Sequence, residues 1–223
     1  AGVAVALNFP AKKVAWHGRG DYLCSVAPAG NSQAVLVHQL ARGASQSPFR
    51  RNRGRAVAAA FHPARPFFFV ATAQAVRVYD LSKQALAKKL LGGGGVATCL
   101  AIHPSGDHVL VGAEDRRLAW YDLDLSTKPY RALRHHAAAV RAAAFHPRLP
   151  LFASAGADAA AHVFHGRVFA DLMQNALVVP LRALRGHGRA ASGEGVTDVA
   201  FHPAQPWLFT AGADGDALLF VNP

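Results

Sequence analysis

An apolar run that closes on His-Pro recurs along this chain, and its spacing restricts the available folds more than any other feature. The copies are Ala59-Ala60-Phe61-His62-Pro63, Leu100-Ala101-Ile102-His103-Pro104, Ala143-Ala144-Phe145-His146-Pro147 and Ala200-Phe201-His202-Pro203, with a degenerate Val14-Ala15-Trp16-His17 near the start. Measured from histidine to histidine, the steps are 45, 41, 43 and 56 residues. After each marker come a second apolar run ending in small residues, a turn, and a third run ending in an aromatic. Trp207-Leu208-Phe209-Thr210-Ala211-Gly212-Ala213-Asp214 followed by Ala217-Leu218-Leu219-Phe220 is the fullest copy. A period of roughly 40–45 residues holding several short strands is that of a β-propeller blade.

The expected fold is therefore all-β: one continuous propeller array of about five blades, near residues 11–54, 55–95, 96–138, 139–194 and 195–223. Each blade reads as inner strands a, b and c and an outer strand d. In the second, a is about 56–62, b 67–72, c 76–81 and d 85–91. The third has its d strand at about 130–135. The fourth carries an insertion, 166–180, before d at about 181–187, which accounts for the long last step. The first blade shows no clear d strand, and the polar, basic stretch 42–55 occupies its place. The fifth ends after c. Residues 1–10, with Val3-Ala4-Val5-Ala6-Leu7, read as the outer strand of a preceding or closing blade. The chain begins at Ala1 inside that strand, so it is read as part of a longer protein.

Of the 223 residues 52% are apolar and 17% charged, which excludes a wholly disordered chain. No run reaches the roughly 18 uncharged apolar residues of a membrane-spanning helix, and no cleavable leader is visible. Cys24 and Cys99 each lie in an apolar strand run and read as reduced core residues, which suits an intracellular compartment. Lys and Arg number 24 against 13 acids, a net charge of +11. Such a surplus attracts polyanions, nucleic acid foremost.

Twelve histidines invite a metal reading. His62, His103, His146 and His202, however, recur at the blade period as turn residues do. No His-Glu-x-x-His or Cys-x-x-Cys is present to anchor a metal. Asp115, Asp158 and Asp214 fall in the b–c turns, with His135 and His187 at d-strand ends. These read as pairs that fix a turn within one blade, as in WD repeats, where Tyr79-Asp80 and Tyr121-Asp122 stand in the place of Trp-Asp. Gly92-Gly93-Gly94-Gly95 lacks the Lys-Ser/Thr of a phosphate loop, and no nucleophile is paired with a base. The chain is read as a non-enzyme with no cofactor.

The densest basic segment is Ser47-Pro48-Phe49-Arg50-Arg51-Asn52-Arg53-Gly54-Arg55. Two readings stand: a solvated loop, or one in which Arg50, Arg51, Arg53 and Arg55, with Phe49, contact RNA phosphates or a partner. Lys12 and Lys13 form a smaller pair read in the same two ways. The insertion 166–180 reads either as a partner-binding loop or as one packed on its own blade.

Longer strings add a resemblance. Trp16-His17-Gly18-Arg19-Gly20-Asp21-Tyr22, Arg65-Pro66-Phe67-Phe68-Phe69-Val70, Val76-Arg77-Val78-Tyr79-Asp80-Leu81, Asp122-Leu123-Asp124-Leu125-Ser126-Thr127-Lys128-Pro129-Tyr130 and Gln205-Pro206-Trp207-Leu208-Phe209 resemble the C-terminal propeller of the block-of-proliferation (Bop/Erb) ribosome-biogenesis family. The resemblance spans nearly the whole chain. It implies a seven-bladed ring of which these are the last five blades. It also implies a scaffold, in complex with a pescadillo-type protein that binds the region before the propeller and a second WD-repeat protein with a ubiquitin-like domain that binds the propeller, acting on pre-rRNA and large-subunit precursor particles in the nucleolus and nucleoplasm. No membrane partner is implied. A general WD-repeat adaptor without an RNA role is the alternative. The chain departs from the family in its alanine runs, 137–139, 142–144 and 159–161, which offer less side chain to bury.

Overall fold

The computed structural model describes residues 4–48, 55–91, 95–169, 174 and 176–223. These residues form five antiparallel sheets, each with its strands in chain order from one edge to the other. The fold is the expected all-β, WD-repeat propeller arrangement of five blades. No helix is long and apolar enough to cross a membrane.

The chain divides into two compact units, Ala1–Leu91 and Gly92–Pro223. In the first, one sheet is β1 (Lys13–Trp16), β2 (Tyr22–Val26), β3 (Val35–Gln39) and β4 (Ala44–Gln46); the next is β5 (Ala56–Phe61), β6 (Phe67–Thr72), β7 (Val76–Asp80) and β8 (Ala85–Leu90). In the second unit come β9 (Ala97–Ile102), β10 (His108–Ala113), β11 (Leu118–Asp122) and β12 (Arg131–Leu133), then β13 (Val140–Phe145), β14 (Leu151–Gly156), β15 (Ala160–Arg167) and β16 (Leu177–Arg185). The last sheet has three strands, β17 (Val196–Phe201), β18 (Trp207–Gly212) and β19 (Ala217–Val221).

Each core is a seam between successive sheets. In the first unit Cys24, Val26 and Val37 pack against Ala59, Phe68 and Val70. In the second, Leu110, Leu118 and Trp120 meet Val140, Phe152 and Phe164. The following seam sets Ala153, Ala155, Ala161 and Val163 against Val196, Val199 and Leu208. Burying one large apolar side chain stabilises by about 1.5–3 kcal/mol, so the aromatic seam is the stronger of the two.

Four inner strands carry a register shift at the same place, beside Val57, Thr98, Arg141 and Thr197. Such a bulge sharpens local twist and re-aims a side chain. Thr98 uses it to donate to the Val140 carbonyl (2.5 Å), and Arg141 to reach Glu194, each joining neighbouring sheets.

Three expectations are revised. The described part of 1–10 pairs with no strand, because an extended run becomes a strand only where a neighbour offers its hydrogen bonds. The first sheet does have a fourth strand: Leu40–Arg42 makes one 3-10 turn, Gly43 takes φ 59°, and Ala44–Gln46 returns along β3. The two ends of the insertion extend a hairpin, since β15 and β16 stay paired out to Arg167 and Leu177.

Candidate functional site

The recurring histidines share one geometry. In each, Nδ1 accepts backbone N–H groups just past the proline: Ala64 and Arg65 for His62, Ser105 for His103, Arg148 and Leu149 for His146, Ala204 and Gln205 for His202. Proline has no N–H to offer, so the ring reaches over it to the next donors and closes the a–b turn. With Nδ1 accepting, the neutral ring's proton lies on Nε2. His146 Nε2 donates it to the Gln205 carbonyl (3.0 Å). His62 Nε2 is buried and has no hydrogen-bond partner among the described residues. The degenerate first copy closes its turn differently, through His17 Nδ1 and Asp21 Oδ1 at 2.6 Å. That bond to His17 is the main reason the Asp21 carboxyl is held below its ordinary range.

The turn aspartates make a second recurring device. His136 Nδ1 lies 3.0 Å from Asp158 Oδ1, and its Nε2 lies 2.8 Å from Ser154 Oγ. His187 repeats this with Asp214 (3.2 Å) and Thr210 (2.7 Å). Ala137 and Gly188 each add a backbone N–H to the carboxylate at 2.7 Å. The two differ from the expected pairs in a decisive respect. The histidine follows the outer strand of one sheet and bonds the aspartate of the next, so each device joins two sheets and not one. The partner of Asp158 is His136; the ring of His135 instead lies against Phe164 and His162. The Ser/Thr-x-x-x-Asp pattern of Ser154 and Asp158, repeated at Thr210 and Asp214, marks the two sheets that receive such a histidine but does not choose between His135 and His136.

Electrostatics fit this arrangement. Burial pushes His136 down, against the opposing pull of Asp158, so the ring is neutral, donating to Asp158 and accepting from Ser154. Burial alone would raise Asp158, but the Ala137 N–H and the His136 ring outweigh it and hold the carboxyl below its ordinary value. Asp214 is lowered chiefly by the Gly188 N–H. Donor atoms of His136, Asp158 and His162 lie within 4.8 Å of one another. Both His136 nitrogens are already committed to Asp158 and Ser154, so the trio reads as a hydrogen-bond network.

Room for the device is made by Gly156 and Gly212. A Cβ at Gly156 would stand 2.5 Å from His136 Nδ1, and one at Gly212 2.3 Å from His187 Nδ1. The third blade has lost the whole set together: in sequence, Ala113 takes the glycine position, Val111 the Ser/Thr position and Gly94 the histidine position. Asp115 there accepts from Gly95 N–H (3.1 Å) and pairs with Arg117 (3.2 Å).

Of the basic residues singled out for polyanion contact, Phe49, Arg50, Arg51 and Arg53 lie outside the described residues. Arg55 is exposed just before β5. Lys12 is exposed, with its N–H on the Val26 carbonyl (2.8 Å), and Lys13 opens β1 half-buried. A cavity of about 450 Å3 in the same unit is lined by Gln46, Ser47 and Pro48 on one side and by Phe61, His62 and Arg65 on the other. The residue run leading to the arginines therefore borders an aromatic recess.

Residues 87–122, 127–165 and 178–220 match the family described as WD domain, G-beta repeat, together just over half of the chain. The chain belongs to the WD domain, G-beta repeat family. Within the matched residues the His–Asp device stands at His136 and His187 and is lacking at Asp115. Similar proteins cover nearly all of it. The chain is 66% identical over 222 residues to the ribosome biogenesis protein BOP1 homolog of Chlamydomonas reinhardtii, 100% of this chain and 28% of that protein. It is 54% identical over 216 residues to ribosome biogenesis protein ERB1 of Malassezia globosa, 94% of this chain and 25% of that protein. It is 54% identical over 212 residues to human ribosome biogenesis protein BOP1, 95% of this chain and 28% of that protein. The resemblance read from the sequence strings is thus borne out, and the chain spans 25–28% of the length of these relatives.

Proposed function

We propose that this chain is the scaffold part of a ribosome biogenesis protein, working without catalysis in assembly of the large subunit. The observation that carries the reading is identity of 51–66% over at least 94% of the chain with proteins named for ribosome biogenesis. Support comes from the net charge of +11, which favours an RNA-rich assembly. In this reading the chain holds pre-rRNA and large-subunit precursor particles in the nucleolus and nucleoplasm, beside a pescadillo-type protein and a WD-repeat protein with a ubiquitin-like domain. Arg50, Arg51, Arg53 and Arg55, with Lys12, Lys13 and Phe49, are its RNA or partner contacts.

A ring of seven blades belongs to the same proposal. On β1, Val14 (57%) and Trp16 (60%) are exposed on one face, and in the last sheet Phe209 (44%), Leu219 (46%) and Val221 (55%) share another. Apolar faces of that kind are covered by a neighbouring blade in a propeller. The remaining blades would come from the part of the protein that this chain does not include.

The test is purification of the full-length parent from cells at moderate salt. Precursor rRNA and the WD-repeat partner should co-purify. The variant with Arg50, Arg51, Arg53 and Arg55 all changed to Ala should bind RNA more weakly, to a similar degree across sequences, with a shallower salt dependence. Loss of neither RNA nor partner in that variant would remove those arginines from the site. A well-folded parent that recovers neither would favour the general adaptor.

A further inference from the structure

Acidic side chains are in the minority on this chain, yet three of them, Asp107, Asp122 and Asp124, line one recess of the second unit. A cavity of about 390 Å3 opens between the a–b turn after β9, the turn after β11, and the described residues Val168, Phe169, Gln174 and Ala176 between β15 and β16. Its polar wall includes His103, His108, Asp122 and Asp124; Leu125, Val168 and Phe169 are among its apolar lining.

The hydrogen bonds already made there define what the wall still offers. His103 Nδ1 accepts the Ser105 N–H (3.1 Å), and His108 Nδ1 accepts the Trp120 indole N–H (3.2 Å). Each neutral ring then carries its proton on Nε2. Burial keeps both neutral, His103 down at about 4 and His108 lowered despite Asp122. Neither Nε2 has a partner among the described residues, although His108 is only 5% exposed. Asp122 Oδ1 accepts the Asp124 and Leu125 N–H groups (2.9 and 3.2 Å). Its Oδ2 accepts no hydrogen bond from the described residues and lies 3.8 Å from His108 Nδ1. The Asp124 carboxylate accepts nothing from the described residues.

The recess is therefore walled by two neutral imidazoles whose Nε2–H groups are uncommitted among the described residues, by two carboxylates with free acceptor positions, and by apolar side chains that include an aromatic ring. The chain's own Arg167 holds its guanidinium 5.1 Å from the Phe169 centroid, so this rim already accommodates that group. A second guanidinium brought in by a ligand would find the carboxylates beyond it. Its aliphatic stem matches Leu125 and Val168, and a peptide carbonyl beside it matches the imidazole N–H donors. A phosphate backbone would meet two carboxylates and is disfavoured.

We infer that this recess is a docking site for an arginine side chain on an extended segment of a partner protein. The inference stands on the recess alone and is independent of the ribosome-assembly reading.

The probe is the pentapeptide acetyl-Ala-Ala-Arg-Ala-Ala-amide, titrated into the full chain while the ring signals of His103 and His108 are followed by NMR. Both signals should shift and saturate. The citrulline version, neutral but similar in shape, should bind at least about tenfold more weakly. Asp124→Asn and Asp122→Asn should each weaken the arginine peptide. Both leave the fold intact: the amide introduced by Asp122→Asn keeps an oxygen for the turn N–H groups, and Asp124 has no side-chain bond to a described residue to lose. Equal binding of the two peptides, saturation of the same signals by guanosine monophosphate, indifference to both Asn variants, or no response at millimolar peptide would each overturn the inference.

Discussion

Removal of Asp158 would strand three donors at once: the His136 ring and the Ala137 and Ala160 N–H groups. The His136 ring is buried and the Ala160 N–H partly so, while the exposed Ala137 N–H can turn to water; a buried donor left unpaired costs about 1–3 kcal/mol, so Asp158→Ala should lower unfolding stability by about 2–3 kcal/mol. Asp115→Ala loses an ion pair about one-third exposed and should cost under about 1 kcal/mol. Urea unfolding of the two variants decides, and equal losses would contradict the role given to His136. Protonation gives a second residue-level expectation. Burial holds His103 and His162 at about 4 in the folded chain, whereas free imidazole titrates at about 6.5. Between those values the unfolded chain binds more protons. Stability from these rings is thus complete above about pH 6.5 and is lost as pH falls toward about 4. The urea midpoint should drop between about pH 7 and about pH 5; a rise would mean the rings are charged in the fold. Cys24, pushed to about 11 by burial, and the buried Cys99 should stay unreactive to a thiol reagent until the chain unfolds.

At the scale of elements, the two seams of the second unit differ in what they bury. Phe152 is fully buried, stacked on Phe164 at 4.7 Å and edge-on to Trp120 at 5.2 Å. Phe152→Ala should cost about 3–5 kcal/mol, whereas the next seam is built on alanines too small to leave such a cavity. The b–c turns supply a change of opposite sign. Equivalent positions Arg116, Ala159 and Gly215 all take positive φ, 70°, 61° and 94°, and only the last is glycine. Ala159→Gly should raise stability by up to about 1 kcal/mol, read as a higher urea midpoint. The hairpin of β15 and β16 was not legible as such, because Gly166 and Pro180 punctuate a mixed sequence. Gly166 nonetheless stays in the ladder, where a Cβ would stand 2.6 Å from the Phe152 ring. Pairing across the hairpin shifts register beside Phe164, which faces Pro180, so the proline is absorbed at the irregularity.

For the molecule as a whole, the charge of +11 predicts RNA binding that weakens steeply with salt, each neutralised phosphate adding about 0.7–0.9 to the slope. The repeat itself is legible in the sequence, because period-two apolar runs at blade spacing can bury themselves only by stacking sheet on sheet, and Pro and Gly mark where each strand must end. His62, His103, His146 and His202 were legible for the same reason: their bonds to the following N–H groups are local in sequence. The choice of His136 over His135 was not, since the aspartate that selects it belongs to the neighbouring sheet. Nor was the recess at Asp122 and Asp124. Those carboxylates, the neutral imidazoles of His103 and His108, and the apolar Val168 and Phe169 come from three separate segments of the chain. Folding both withdraws the imidazoles from water, which keeps them uncharged, and sets them beside the acids.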